Sequence, residues 1–386
     1  MKTKHVFLDN AATSNPKPEA VKQAMMDYLC NIGASPGRGG YSLSLEAGGI
    51  VFEAREAICN LFNAPSEDQV IFTPNVTYAL NLALQGLLKP SDHVITTGME
   101  HNSVIRPLRT LEEKRQVKVT VVPCDSEGRL DPQDIQAALC PNTKLIVFTH
   151  ASNVSGTVMP LADIAAIAHE AGIFLLVDTA QTAGVLKLDF KQLKLDGLAF
   201  TGHKSLYGPP GTGGLVVSKR LAKEMEPLIY GGTGSKSDDE HQPLFLPDKF
   251  EAGTTNTVGI AGLLAGIKFI TDTGQQQIAA HEKHLAQLFI DGLNDIPQIK
   301  LHGPKGEQNR VATVSITVPG QDLGELAYRL DAKYGIMVRS GLHCAPLAHR
   351  TLGTFPEGTL RFSFGYFNTE DDVLYSLEAL ERLTIQ

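Results

Sequence analysis

"IFLLVDTAQTAGVLKLDFKQLKLDGLAFTGHKSLYGPPGTGGLVV" (residues 173–217) contains two short apolar runs, and each ends on polar residues. The first stops at Asp178, the second at Thr201, followed by His203 and Lys204. Continuous apolar runs of this length, bounded by turn formers, read as strands buried on both faces. A lysine kept for solubility suits an exposed helix face. Lys204 instead follows a strand end and precedes a loop with glycine at 208, 211, 213 and 214. Its amine is therefore expected at the rim of a sheet.

The same pattern extends outward in both directions. "DQVIFT" (68–73), "DHVITTG" (92–98), "VKVTVVP" (117–123) and "KLIVFTH" (144–150) read as further buried strands, joining 173–179 and 197–202. Helical patterns lie between several of them, at 77–88, 131–140 and 160–172. Strand–helix alternation predicts an α/β fold with a mostly parallel sheet covered by helices. Ligands of such sheets gather at the carboxyl ends of the strands. Thr77, His101, Asn153, Asp178, Gln181, His203 and Lys204 all occupy those positions. A long helical pattern from about 257 to 294, weakest near Thr271–Gly274, leads to a second unit. There "RVATVSITVPG" (310–320), a helix at 321–334, "GIMVRSG" (335–341), "TLRFSFG" (359–365) and a final helix predict a small α+β domain. The expected division is a large domain over 17–262, with 1–16 and 263–386 forming an N-terminal arm and the small C-terminal domain.

Composition excludes several classes. The chain has 386 residues, 42% of them hydrophobic and 20% charged, enough for a large core. A net charge of −8 argues against nucleic acid, which rewards basic surfaces. No apolar run reaches membrane length and the start has no long apolar stretch, so the expectation is a cytoplasmic protein with no membrane partner. Five cysteines (30, 59, 124, 140 and 344) include no C-x-x-C pair, which disfavours disulfides and metal. The first four lie in or beside helix and strand patterns and read as buried, structural thiols. The glycines after Lys204 do not open a strand–helix turn, so a dinucleotide site is not indicated.

Asp178 and Lys204, each just after a strand, form a pair that pyridoxal phosphate chemistry needs. A lysine holds the cofactor aldehyde and a carboxylate keeps the pyridine nitrogen protonated. A helix-capping aspartate and a surface lysine are the plain alternative for each residue taken alone.

"DTAQTAG", "TGHKSLYGPPGTGGL", "FEAGTTNT" and "RSGLHCAP" together resemble the class V aminotransferases of pyridoxal phosphate fold type I, in their cysteine desulfurase and selenocysteine lyase branch. The resemblance runs from "FLDNAATSNP" to "RFSFGYFNT". It implies that Lys204 binds the cofactor and moves the substrate's Cα proton, that Asp178 pairs with the ring nitrogen, and that Gln181 meets the ring oxygen. It also implies that His101 stacks on the ring and shuttles protons. Asn153 would meet the ring oxygen and the substrate carboxylate, though it also suits a turn. The phosphate is expected at the helix start in "TPNVTYALNLAL", on Val76 and Thr77, with Thr201 and His203 adding donors. Thr254 of "AGTTNT" would reach the neighbouring subunit's phosphate, which implies a homodimer.

The resemblance assigns Cys344, in "VRSGLHCAPLAH", as the sulfur-accepting nucleophile, and Arg339 and His343 beside it favour a thiolate. Arg361 would grip the substrate carboxylate, as a bidentate guanidinium does well; an internal salt bridge is the competing reading. Arg38 in "GRGGYSL" is a further substrate contact. Two departures stand out: Leu342 replaces the first histidine of Arg-x-Gly-His-His-Cys-Ala, and Tyr41 replaces a common histidine. The implied activity converts L-cysteine to L-alanine and leaves a persulfide on Cys344. A sulfur-acceptor protein, such as an iron–sulfur scaffold, would take that sulfur. Selenocysteine lyase, a class V transaminase or β-lyase, and a non-catalytic sulfur-transfer partner stay open as alternatives.

Overall fold

In the computed structural model, residues 5–37, 39–306 and 308–384 are described. Thirteen strands occur among them, beginning with β1 (Val6–Phe7). The large sheet is built from β2 (Val70–Thr73), β3 (His93–Thr97), β4 (Lys118–Val122), β5 (Thr143–Thr149), β6 (Phe174–Asp178), β7 (Gly197–Thr201) and β8 (Gly213–Val217). Their order is β2-β8-β7-β6-β5-β3-β4. The five strands from β7 to β4 run parallel, and β8 is antiparallel to both neighbours. The six strands expected from sequence all form, in the sheet order that connecting helices allow. Every residue of β3, β6 and β7 is buried, which is why these strands read as unbroken apolar runs.

The glycine loop after Lys204 is shorter than expected. Gly213 and Gly214 do not belong to it; they open β8. A Cβ at Gly213 would lie 2.7 Å from the Asn75 Cα, and one at Gly214 would lie 2.6 Å from the Ile71 carbonyl oxygen. Glycine is used here because neighbouring backbone passes too close for a side chain. The segment thus holds the start of the Val76–Leu87 helix against the sheet edge.

The small sheet, order β12-β13-β10-β9, is antiparallel and comprises β9 (Lys300–His302), β10 (Thr313–Thr317), β12 (Arg339–Gly341) and β13 (Thr359–Ser363). A separate parallel pair joins β1 to β11 (Ile336–Met337). Val6 and Leu8 of the arm pack in one cluster with Phe289, Val314, Leu330 and Phe362. The long helical pattern is two helices, Thr257–Thr273 and Gln275–Leu293, separated by Gly274 at φ +93°. Position 262 falls inside the first of them. Ile267, Ile270 and Ile278 still pack on the large sheet, whereas Leu285 onward joins the small unit's core.

Candidate active site

The parallel strands deliver their polar ends to one cleft of about 320 Å³ between the large sheet and the small unit. Val76, Thr77, His101, Asn153, Asp178, Gln181, Thr201, His203, Lys204 and Arg361 all line it. Lys204 sits three residues beyond β7, in a turn closed by the Tyr207 amide on the Lys204 carbonyl (2.8 Å). The end of the arm and the residue after it clamp this turn. Ser14 Oγ donates to the Lys204 carbonyl (2.9 Å), while Lys17 Nζ (2.6 Å) and Thr13 Oγ1 (2.9 Å) donate to that of His203. These residues were not singled out in the sequence, because nothing local links them to a lysine nearly two hundred positions away.

Burial pushes the Lys204 amine down to about 8, against the opposing attraction of Asp178. Asp178 is buried, and burial raises its carboxyl, while the Ala180 amide (2.9 Å to Oδ1) and Lys204 pull the other way. His101 caps the Asn102–Arg115 helix, its Nδ1 accepting the Ser103 amide at 3.1 Å. That bond leaves the ring proton on Nε2, and burial, with Lys204 and Arg339 nearby, lowers the ring to about 4. A neutral, fixed imidazole therefore stands over the cleft. Ser103, absent from the sequence-derived set, links His101 Nδ1 (2.9 Å) to Thr77 Oγ1 (2.7 Å).

Arg361 is buried within β13, with Nη2 2.5 Å from Asp9 Oδ1 and Nη1 donating to the Asn153 carbonyl at 2.9 Å. The internal ion pair and the cleft-facing position thus coexist, and Arg361 Nε has no partner. Asn153 in turn donates to the His343 carbonyl at 2.8 Å. Among the described residues, eight buried side-chain polar atoms lack a partner. Three of them, Thr201 Oγ1, Arg361 Nε and His343 Nδ1, belong to residues lining this cleft. Unspent polar capacity concentrated in one place signals a ligand.

The residues fit pyridoxal phosphate. The amides at the start of the Val76–Leu87 helix, whose cap is Asn75, suit the phosphate, with the unpaired Thr201 hydroxyl beside them. Asp178 suits the pyridinium nitrogen, and Lys204 the aldehyde.

Cys344 is exposed, in a turn where His343 (φ +47°) and Cys344 (φ +58°) are both left-handed. Its carbonyl accepts the Asn102 amide at 2.8 Å, and Arg339 Nη2 lies 3.9 Å from its sulfur. Cys344 does not line the cleft. It lines an adjoining groove that shares Thr77, His101 and Ser103 with it. Thr254 is exposed and lines a different cavity, with Tyr78 and Phe250. Arg38 lies outside the described residues. The expectation of four buried structural thiols is corrected: Cys59 is buried, Cys124 half-buried, and Cys30 and Cys140 are exposed. A cysteine beside a helix or strand is not thereby inside, since both elements have solvent faces.

Residues 6–375 match the family model described as Aminotransferase class-V. A probable cysteine desulfurase from Methanothermobacter thermautotrophicus is 38% identical over 383 residues, covering 98% of this chain and 94% of that protein. A cysteine desulfurase from Haloferax volcanii is 33% identical, covering 97% and 88%. Among solved structures, the apo cysteine desulfurase from Thermococcus onnurineus superposes with a TM-score of 0.93 at 33% identity, covering 99% and 95%. The cysteine desulfurase CsdA from Escherichia coli gives 0.88 at 30%, covering 98% and 94%.

Proposed function

The chain belongs to the class-V aminotransferase family, and from that premise we propose that it is a pyridoxal phosphate-dependent cysteine desulfurase. The observation that carries the reading is the convergence of Lys204, Asp178, His101 and Arg361 on one cleft, with Cys344 at its edge. Its substrate is L-cysteine and its products are L-alanine and a protein-bound sulfur.

Pyridoxal phosphate, when bound, supplies an electron-accepting ring for charge at the substrate's Cα. Asp178 stands in a dry site, where burial raises its carboxyl and a cationic ring nitrogen would favour its charged form. Arg361 offers Nε, and Asn153 an amide edge, to the substrate carboxylate. Lys204, an amine easily neutral near pH 8, takes the Cα proton and returns it. His101, lining the cleft with its ring proton on Nε2, steers protons around the substrate sulfur. The Cys344 sulfur, with Arg339 Nη2 3.9 Å away, attacks that sulfur: a new S–S bond forms as the substrate C–S bond breaks. The electron pair stays on the substrate's Cβ, which takes a proton and leaves as the methyl group of alanine.

Transfer of the sulfur to an acceptor such as an iron–sulfur scaffold belongs to the same proposal, as does a homodimer. Support for the dimer comes from exposed apolar side chains, including Met26, Leu29, Leu45, Phe52, Tyr230 and Leu244, and from Thr254 standing away from its own cleft. A cytoplasmic setting is supported by five unpaired cysteines. No helix among the described residues is long and apolar enough to cross a membrane.

Incubation with L-cysteine and a thiol reductant tests the activity. Equal alanine and sulfide, both lost in Cys344→Ala, are expected. Alanine that persists in the variant, or pyruvate in its place, sinks the persulfide mechanism; selenocysteine turnover that survives it indicates the lyase.

A further inference from the structure

We propose that the groove beside Cys344 is a second binding site, which admits an anionic low-molecular-weight thiol as sulfur acceptor. The transfer step rests on the desulfurase reading above; the site itself does not. The groove measures about 390 Å³ and runs along the Val76–Leu87 and Asn102–Arg115 helices. Its size suits a small peptide or cofactor-sized molecule rather than a single water. Asn81, Gln85, Arg106, Pro107, Thr110 and Cys344 are its outer lining.

Three observations fix the class of ligand. First, the lining contains no carboxylate. Second, Arg106 is exposed and has no ion-pair partner among the described residues, whereas Arg109, one turn on, is tied to Glu112. A free guanidinium over a carboxylate-free floor selects an anion. Third, Cys344 is exposed to this groove while its neighbours Arg339 and His343 face the inner cleft. The Thr77–Ser103–His101 chain of hydrogen bonds forms the wall between the two spaces. Substrate and acceptor thus have separate approaches to one sulfur atom. In the transfer, the acceptor thiolate attacks the outer sulfur of the Cys344 persulfide. A new S–S bond forms, the Cys344 S–S bond breaks, its electron pair leaves on the Cys344 thiolate, and the acceptor departs as a persulfide.

Holoenzyme is loaded with L-cysteine, desalted, and discharged with 3-mercaptopropionate, glutathione, 2-mercaptoethanol or cysteamine. Each rate is divided by that thiol's rate with a small symmetric disulfide, which removes differences in intrinsic reactivity. At low salt the two anionic thiols should exceed cysteamine by about three- to tenfold, and the advantage should vanish in Arg106→Glu and at high salt. The alanine burst that accompanies loading stays unchanged in that variant. Equal normalised rates for all four thiols, or a ranking that survives Arg106→Glu, overturn the proposal. The site is also read without turnover: S-methylglutathione should slow alkylation of Cys344 by iodoacetamide in the resting enzyme, but not in Arg106→Glu. Absence of that protection overturns the site, while absence of the alanine burst counts against the desulfurase reading and leaves the protection result to decide the groove.

Discussion

Both edges of the large sheet carry a histidine and a cysteine, yet they are built differently. At the amino edge, Cys140 Sγ lies 3.0 Å from His93 Nδ1, closer than Arg339 Nη2 lies to the Cys344 sulfur. The His93 ring is also bonded to Thr143 and Thr120, at 2.8 Å on either side, so each donor there answers an acceptor inside the group. The carboxyl edge is open: Thr201 Oγ1 and Arg361 Nε are buried and unanswered, and Lys204 has no ion-pair partner among the described residues. Proximity of reactive groups does not mark a site. Unspent bonding capacity at the strand ends that topology favours does.

The largest effect should follow from removing the amine at the open edge. Lys204→Ala is expected to lower alanine formation by about 10³-fold or more, since it deletes both the proton carrier and the cofactor's anchor. A variant that retains a tenth of the wild-type rate would break the comparison at its centre.

A second test uses pH. In the cofactor-free protein, capture of pyridoxal phosphate requires neutral Lys204. Burial lowers this amine from 10.5 to about 8, so the neutral fraction grows through pH 7–9 and levels off above it. The rate of reconstitution, followed by absorbance, should rise about tenfold per unit below pH 8 and flatten beyond it. A rise that continues to pH 10 would mean that Lys204 is not held in the dry environment described.

Much of this edge was legible in the sequence for one reason: fully buried parallel strands are unbroken apolar runs, and the residue after each run is marked by its polarity. Asp178, Lys204 and His101 could be placed in that way. Gly213 and Gly214 could not, because glycine signals a loop as readily as a strand whose neighbours crowd it. Asp9, Ser14 and Lys17 meet the cleft residues Arg361, Lys204 and His203 only through folding of the N-terminal segment across the chain, and no local pattern records that. Cys140 fell on the wrong side of the burial expectation because the helix expected over 131–140 ends at Ala137, which leaves Cys140 in the turn before β5.

Beneath the open edge, a smaller effect concerns stability. Glu282 is buried against Tyr207, whose hydroxyl lies 3.4 Å from Oε1, and burial pushes its carboxyl from 4.5 up to about 8. Between those pH values the folded chain holds a proton that the unfolded chain has released, so stability falls as pH rises through this window. Glu282→Gln, which mimics the protonated form, should therefore gain about 2 °C in Tm relative to wild type on going from pH 5 to pH 8. An unchanged difference at the two pH values would show that the carboxyl is ionised in the fold.

The smallest effect sharpens the comparison most. Cys140→Ser should leave alanine and sulfide formation within about twofold of wild type, because surface substitutions away from a site are nearly neutral. The serine hydroxyl can keep a bond to His93, whose own contacts with Thr143 and Thr120 do not depend on the thiol. Burial and Lys118 lower the His93 ring, so it stays neutral near pH 7 and places no positive charge beside Cys140. Cys344, by contrast, has the permanent charge of Arg339 at 3.9 Å. A large loss of turnover in Cys140→Ser, with folding intact by circular dichroism, would mean that the closed cluster communicates with the open one through β3 and β5, and the two edges would then have to be treated as one site.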